Sequence, residues 1–83
     1  MNSYSTELTT NVRNLLAVAL QVPSEAVTAE LSFGDLPQWD SMGHMEVMMQ
    51  LEERFGVEVS ADTIAALTSV SAICTYLQEN GHA

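Results

Sequence analysis

The run from Trp39 to Gly56, WDSMGHMEVMMQLEERFG, limits the fold of this chain more than any other stretch. Pro37 stands just upstream, and Asp40 can accept a hydrogen bond from a free N–H of a first helical turn. Phe55 and Gly56 close the run, and glycine best tolerates the left-handed turn at a helix end. Between these ends lie Met, Glu, Leu and Gln, all good helix formers. At roughly 100° per residue, Val47, Met48, Leu51 and Phe55 fall on one stripe, the expected core face. Met42, Met45 and Met49 fall on a second stripe on nearly the opposite side. Glu46 and Glu53 border it on one flank and Glu52 on the other. A small helix buried against one core needs only one apolar face. The two stripes therefore describe either a central helix packed on both sides or a Met-lined, carboxylate-rimmed surface for other proteins. Flexible thioethers suit a surface that must accept several partners.

Ser41 stands one residue past the expected cap. A hydroxyl there faces solvent, and an anion attached to it would be favoured by the free N–H groups and the positive end of the helix dipole. Spacing alone favours the plainer reading, a second capping side chain beside Asp40.

The flanking segments predict more helix. A first helix is expected to begin after Ser3 or Ser5 and run to about Leu20, with Leu8, Val12, Leu15, Leu16 and Ala19 on one face. Pro23 ends it, because the residue before a proline resists helical geometry. From Val22 to Gln38 the chain reads as a long connection, with a short turn of helix near Ser24 to Val27. Val22, Val27, Leu31, Phe33 and Leu36 are spaced to pack it across the open end of a bundle. Val57-Glu58-Val59 alternates like a strand but has no partner segment. Ser60 is expected to cap a short helix to about Ala66, with Ile64 and Leu67 inward. Ser69 caps a last one from Val70 to about Glu79, with Val70, Ile73, Cys74 and Leu77 inward and Gly81 past its end. The expected fold is all-α, three main helices and one short one, with a long loop between the first and second.

Eighty-three residues suffice for one domain, spanning 1–83, and not for two. Two Arg, no Lys and eleven Asp or Glu give a formal net charge of −9. That excludes ordinary nucleic-acid binding, which needs a basic face, and disfavours anionic membranes. Such a field attracts proteins with basic patches and speeds their encounter. No apolar run approaches the ~18 residues of a membrane span, and the N-terminus lacks the basic and apolar stretches of a signal peptide. Cys74 is the one cysteine, which rules out an internal disulfide and fits a reducing compartment, so a cytoplasmic protein is expected.

Chemistry-bearing motifs are missing. There is no phosphate-cradling glycine loop, no paired-cysteine metal site, no His-Glu-x-x-His helix and no calcium loop. His44 follows Ser41 by three residues, so a Ser/His nucleophile pair is conceivable, but no orienting carboxylate or oxyanion hole accompanies it. His44 is expected at the core edge and His82 at a frayed end. Cys74 is expected as a buried small hydrophobe, and Arg13 and Arg54 as surface groups. No catalytic residue and no metal site are expected.

At Asp40-Ser41-Met42 the chain resembles the acyl carrier proteins, and more broadly the phosphopantetheine-dependent carriers. The resemblance continues through Met45-Glu46-Val47, then Leu51-Glu52-Glu53-Arg54-Phe55-Gly56-Val57-Glu58-Val59, Leu67-Thr68-Ser69-Val70 and Ile73-Cys74-Thr75-Tyr76-Leu77. With Leu31-Ser32-Phe33 and the first helix it covers nearly the whole chain. It implies the carrier four-helix bundle, and a protein that catalyses nothing itself. Ser41 would bear 4′-phosphopantetheine, transferred from coenzyme A by a phosphopantetheinyl transferase, and Asp40 would help that enzyme recognise the site. Acyl groups would ride on the arm's thiol as thioesters. Met42, Met45, Glu46, Met49 and Glu53 match the family's partner-recognition helix, which serves acyl- or aminoacyl-loading and -processing enzymes with basic docking patches. A monomer is implied. Trp39 before the Asp-Ser pair and Gly43-His44 after it depart from the commonest fatty-acid carriers and look more like carriers of polyketide or other specialised pathways. An aminoacyl or peptidyl carrier of a nonribosomal-peptide-like or surface-polymer pathway is the alternative within the family. Outside it stands an acidic helical interaction module with no prosthetic group.

Overall fold

The computed structural model of the protein describes residues 6–81. Four α-helices account for most of them: α1 (Thr6–Leu20), α2 (Ser41–Phe55), the short α3 (Ala61–Ala66) and α4 (Val70–Glu79). A single 3-10 turn over Ser24–Ala26 interrupts the long connection, where a short helical turn is expected. Among the described residues the one piece of β pairing is an isolated bridge between Ser32 and Ser69, so the all-α expectation holds. The cap candidates Ser3 and Ser5, and His82, lie outside the described residues.

Local chemistry sets each helix boundary. Asp40 caps α2 by accepting the Gly43 amide at 2.9 Å. Ser60 and Thr63 satisfy each other's backbone N–H groups in a capping box that starts α3, and Ser69 accepts the Ala72 amide to start α4. Gly56 ends α2 in the left-handed conformation, φ +72°. α1 ends the same way without a glycine. Gln21 has φ +58°, its amide donates to Val18 and that of Val22 to Ala17, the paired bonds of a Schellman turn. A side chain in that region is strained, so Gln21→Gly is expected to raise stability by about 0.5–1 kcal/mol. A urea midpoint measures it, and a lower midpoint in the variant would contradict this account of the turn.

The core collects the stripes of three helices: Leu8, Val12, Leu15, Leu16 and Leu20 from α1, Val47, Met48 and Leu51 from α2, and Val70, Ile73, Cys74 and Leu77 from α4. α1 packs on both α2 and α4, and α3 touches α2 alone among the major helix pairings. The long loop contributes Val27 and Leu31 as buried residues, with Val22 and Leu36 packed against the core, whereas Phe33, expected to pack with them, is 42% exposed. Two backbone bonds fasten it to the α3–α4 junction, from Phe33 N–H to the Thr68 carbonyl at 2.8 Å and from Val70 N–H to the Leu31 carbonyl at 3.0 Å. Arg13 corrects the expectation of a surface group. It is half-buried, and its guanidinium donates to the backbone carbonyls of Val27 and Ser24, clipping the loop to α1. Arg54 does lie at the surface, turned back to the Gln50 side chain at 3.2 Å.

Candidate functional site

The loop reaches α2 through a compact knot. Ser32 N–H donates to the Asp35 carboxylate, the Asp35 amide to the Ser32 carbonyl, and the Gly34 amide to the Trp39 carbonyl. Gly34 makes this last closure with φ +89°. The knot delivers Trp39 into the interior, where its indole is fully buried, the largest side chain so placed.

The indole N–H must donate, and its acceptor is Nδ1 of His44 at 3.1 Å. His44 is itself buried, and its Nε2 lies 2.8 Å from the Ile64 carbonyl oxygen on α3. Trp39 can only donate and a carbonyl can only accept, so the two partners place the ring's proton on Nε2. Phe33 stands edge-on to both rings, at centroid distances of 6.5 Å to Trp39 and 5.6 Å to His44. Every buried side-chain nitrogen and oxygen among the described residues has a hydrogen-bond partner.

Asp40 being the cap leaves Ser41 as the first helical residue, exposed and with no capping duty. This removes the reading of Ser41 as a second cap. It also removes the Ser/His pair, because both nitrogens of His44 are engaged elsewhere and neither can serve the Ser41 hydroxyl as a base. Ser41 borders a mainly apolar cleft of about 340 Å³ between α2 and α3, whose other walls are Phe33, His44, Met45, Ile64 and Thr68.

The second stripe of α2 is a surface. Met42, Met45 and Met49 are 81%, 40% and 49% exposed, and Glu46, Glu52 and Glu53 flank them in solvent. The structure thus brings Asp40, Ser41, Met42, Met45, Glu46, Met49 and Glu53 onto one outer face of α2. Cys74 is buried as expected. Burial pushes its thiol pKa up, a hydrogen bond with Thr9 only partly offsetting this, so it is a poor nucleophile. Among the described residues no cluster of three His, Cys, Asp or Glu could hold a metal ion, and no helix is long and apolar enough to cross a membrane.

Residues 11–77 match the family described as "Phosphopantetheine attachment site". The chain belongs to the acyl carrier proteins. It is 36% identical over 67 residues to "Acyl carrier protein 3" of Ralstonia nicotianae, covering 81% of this chain and 77% of that protein. Over 74 residues it is 31% identical to the acyl carrier protein of Rubrobacter xylanophilus, covering 89% and 91% of the two chains. The acyl carrier protein of Bdellovibrio bacteriovorus is 32% identical over 72 residues, with 87% and 92% covered. The family's members are carriers, not catalysts, and hold a covalent 4′-phosphopantetheine. Phosphopantetheinyl transferases and acyl-processing enzymes are accordingly the general partners of this carrier.

What the residue pattern left unread at this site is its support. Trp39, His44 and Phe33 form a cluster spanning the loop and two helices. The one local signal for it was an aromatic and a histidine five residues apart across a helix start. Gly43 was a clearer signal, since a glycine inside a helix usually answers to a close neighbour.

Proposed function

We propose that Ser41 is the residue that carries 4′-phosphopantetheine, and that the Met and Glu face of α2 presents the loaded arm to partner enzymes. The observation that carries this reading is the exposed hydroxyl at the first position of a fifteen-residue helix whose cap is already supplied by Asp40. The site fits the group. A phosphodiester on Ser41 lies at the positive end of the α2 dipole, near amides the helix itself leaves free, and the apolar cleft begins beside it. The group supplies a long flexible arm ending in a thiol, on which acyl units are held as thioesters.

Ser41 contributes only the attacking oxygen. The phosphorus–oxygen bond forms there as the nucleotide part of coenzyme A departs, and the hydroxyl proton must go to a base on the transferase, because His44 has no nitrogen to spare. Incubation with coenzyme A, magnesium and a broad-specificity transferase is expected to raise the intact mass by one phosphopantetheine, and Ser41→Ala to abolish the gain entirely. An unchanged mass with several transferases, or a gain that survives in Ser41→Ala, would sink the assignment.

Asp40, Met42, Met45, Glu46, Met49 and Glu53 form the docking face in this reading. Weak, charge-steered contacts let one carrier serve several enzymes in turn, and the net charge of −9 favours partners with basic patches. Glu46→Lys is expected to lower the transferase's kcat/KM roughly tenfold at low salt, with much of the loss disappearing as salt screens the contact. Met45→Asp acts on the same face, and neither change should alter the unfolding free energy by more than about 0.5 kcal/mol. Unchanged kinetics in both folded variants would exclude this face. The cargo is an acyl group of a fatty-acid-like, polyketide or other specialised biosynthesis in the cytoplasm, handled by a monomer. The names of the matched relatives support acyl over aminoacyl cargo.

A further inference from the structure

We propose that the outer face of α2 is also a redox-modification site: Met42, Met45 and Met49 take oxygen from peroxide-class oxidants, and the sulfoxides reversibly weaken the carrier's hold on its partners. The inference rests on the Met and Glu face of α2 being the docking surface. Four of the five methionines of the chain lie on α2, and the helix sorts them. Met42, Met45 and Met49 recur three and four residues apart along one outer stripe and are exposed, Met42 most of all. Met48 is turned into the core with no exposed surface. Leucine would give the outer stripe much the same apolar area. The thioether adds a sulfur lone pair, and on that stripe an oxidant in solvent reaches it.

The chemistry is a two-electron oxygen transfer. The sulfur lone pair attacks one oxygen of hydrogen peroxide, the O–O bond breaks, and the departing oxygen takes both protons and leaves as water. Sulfur is oxidised to the sulfoxide and the peroxide is reduced. A methionine sulfoxide reductase reverses the step, as two thiols become a disulfide and the oxygen leaves as water. Each sulfoxide replaces an apolar contact with a polar group that must be desolvated when a partner covers it. Oxidisable side chains of the interior are shielded. Trp39 and Cys74 have no exposed surface, and burial keeps the Cys74 thiol protonated. The groups that change all project away from the core, so the switch acts on docking and leaves the fold alone.

The test treats the full chain, before any arm is attached, with hydrogen peroxide. The oxidant is removed and each added oxygen is mapped by peptide mass spectrometry. Met42 should oxidise first, Met45 and Met49 after it, and Met48 last, with the helix content by circular dichroism unchanged. The oxidised protein is then offered to the transferase with coenzyme A and magnesium. Its kcat/KM should fall roughly tenfold, the loss typical of removing one apolar interface anchor. The fall should lie in KM and persist at high salt, unlike that of Glu46→Lys, because no charge is altered. A methionine sulfoxide reductase should restore the rate. In the triple variant Met42→Leu, Met45→Leu, Met49→Leu, treated and untreated protein should transfer equally, whatever that rate is, since leucine takes no oxygen. A triple variant that slows on treatment overturns the proposal. So does Met48 oxidising as fast as Met42, or helix lost on oxidation. An oxidised parent with unchanged kinetics, beside a Met45→Asp variant that is slowed, overturns this inference and leaves the docking face in place. If Met45→Asp and Glu46→Lys also transfer normally, the docking face itself has failed, and this inference with it.

Discussion

Trp39→Ala is expected to remove about 3–5 kcal/mol of stability, the range for deleting a fully buried large side chain. A domain of this size holds about 4–12 kcal/mol in all, so the variant should sit at or near the edge of folding. Two losses combine. The cavity left by the indole opens in the one buried core to which α1, α2 and α4 all contribute, and which cannot collapse around it without disturbing those helices. Nδ1 of His44 then loses its donor while remaining buried. Trp39→Phe separates the two terms. It keeps an aromatic body and removes the N–H, and should cost about 1–3 kcal/mol, close to the penalty of one unsatisfied buried group. Urea titration followed by circular dichroism measures both, with the slope checked for constancy. A Trp39→Ala loss below about 1.5 kcal/mol would mean that the indole does not fill the core as described.

The helices and their ends were legible because each is dictated locally. The apolar stripes of α1, α2 and α4 recur at helical spacing, and Asp40, Ser60, Ser69 and Gly56 are residues whose chemistry suits the cap positions they occupy. Ser41 was legible for the same reason, since its place in the first turn follows from the cap before it. Trp39 was not. It lies in a loop with no periodicity to orient it, and only the closure of Gly34 onto Trp39 turns its side chain inward. His44 shares that opacity, because its two partners stand five and twenty residues away along the chain and no pattern pairs them. Arg13 carries the general case furthest. An arginine on a helix flank reads as solvated, yet the Val27 and Ser24 carbonyls that the loop brings against α1 draw its guanidinium in and leave it half-buried. Local rules locate elements, and the contacts that join elements depend on where loops happen to bring donors to acceptors.

Gly43→Ala should fall by about 1–3 kcal/mol, opposite in sign to the usual exchange. In an ordinary helix interior, alanine for glycine gains roughly 0.5–1 kcal/mol, because glycine has more backbone freedom to lose. At Gly43 an added Cβ would lie 2.1 Å from the Gln38 carbonyl oxygen and 3.0 Å from a methyl of Leu20. The leucine methyl can give way, but the carbonyl is backbone of the knot that seats Trp39, and the next peptide carries the indole. Relief therefore has two routes, lifting the first turn of α2 or shifting the knot. The first moves Ser41 and weakens the Asp40 cap on the Gly43 amide, and the second loosens Trp39 against His44. Both reach the candidate site, so Gly43→Ala should also slow phosphopantetheine transfer while the protein is still folded. A denaturation midpoint and a transferase rate measured on the same preparation check the two effects together. A variant as stable as the parent or more so would show that the carbonyl does not crowd α2. A destabilised variant modified at the parent rate would show instead that the strain is absorbed away from Ser41.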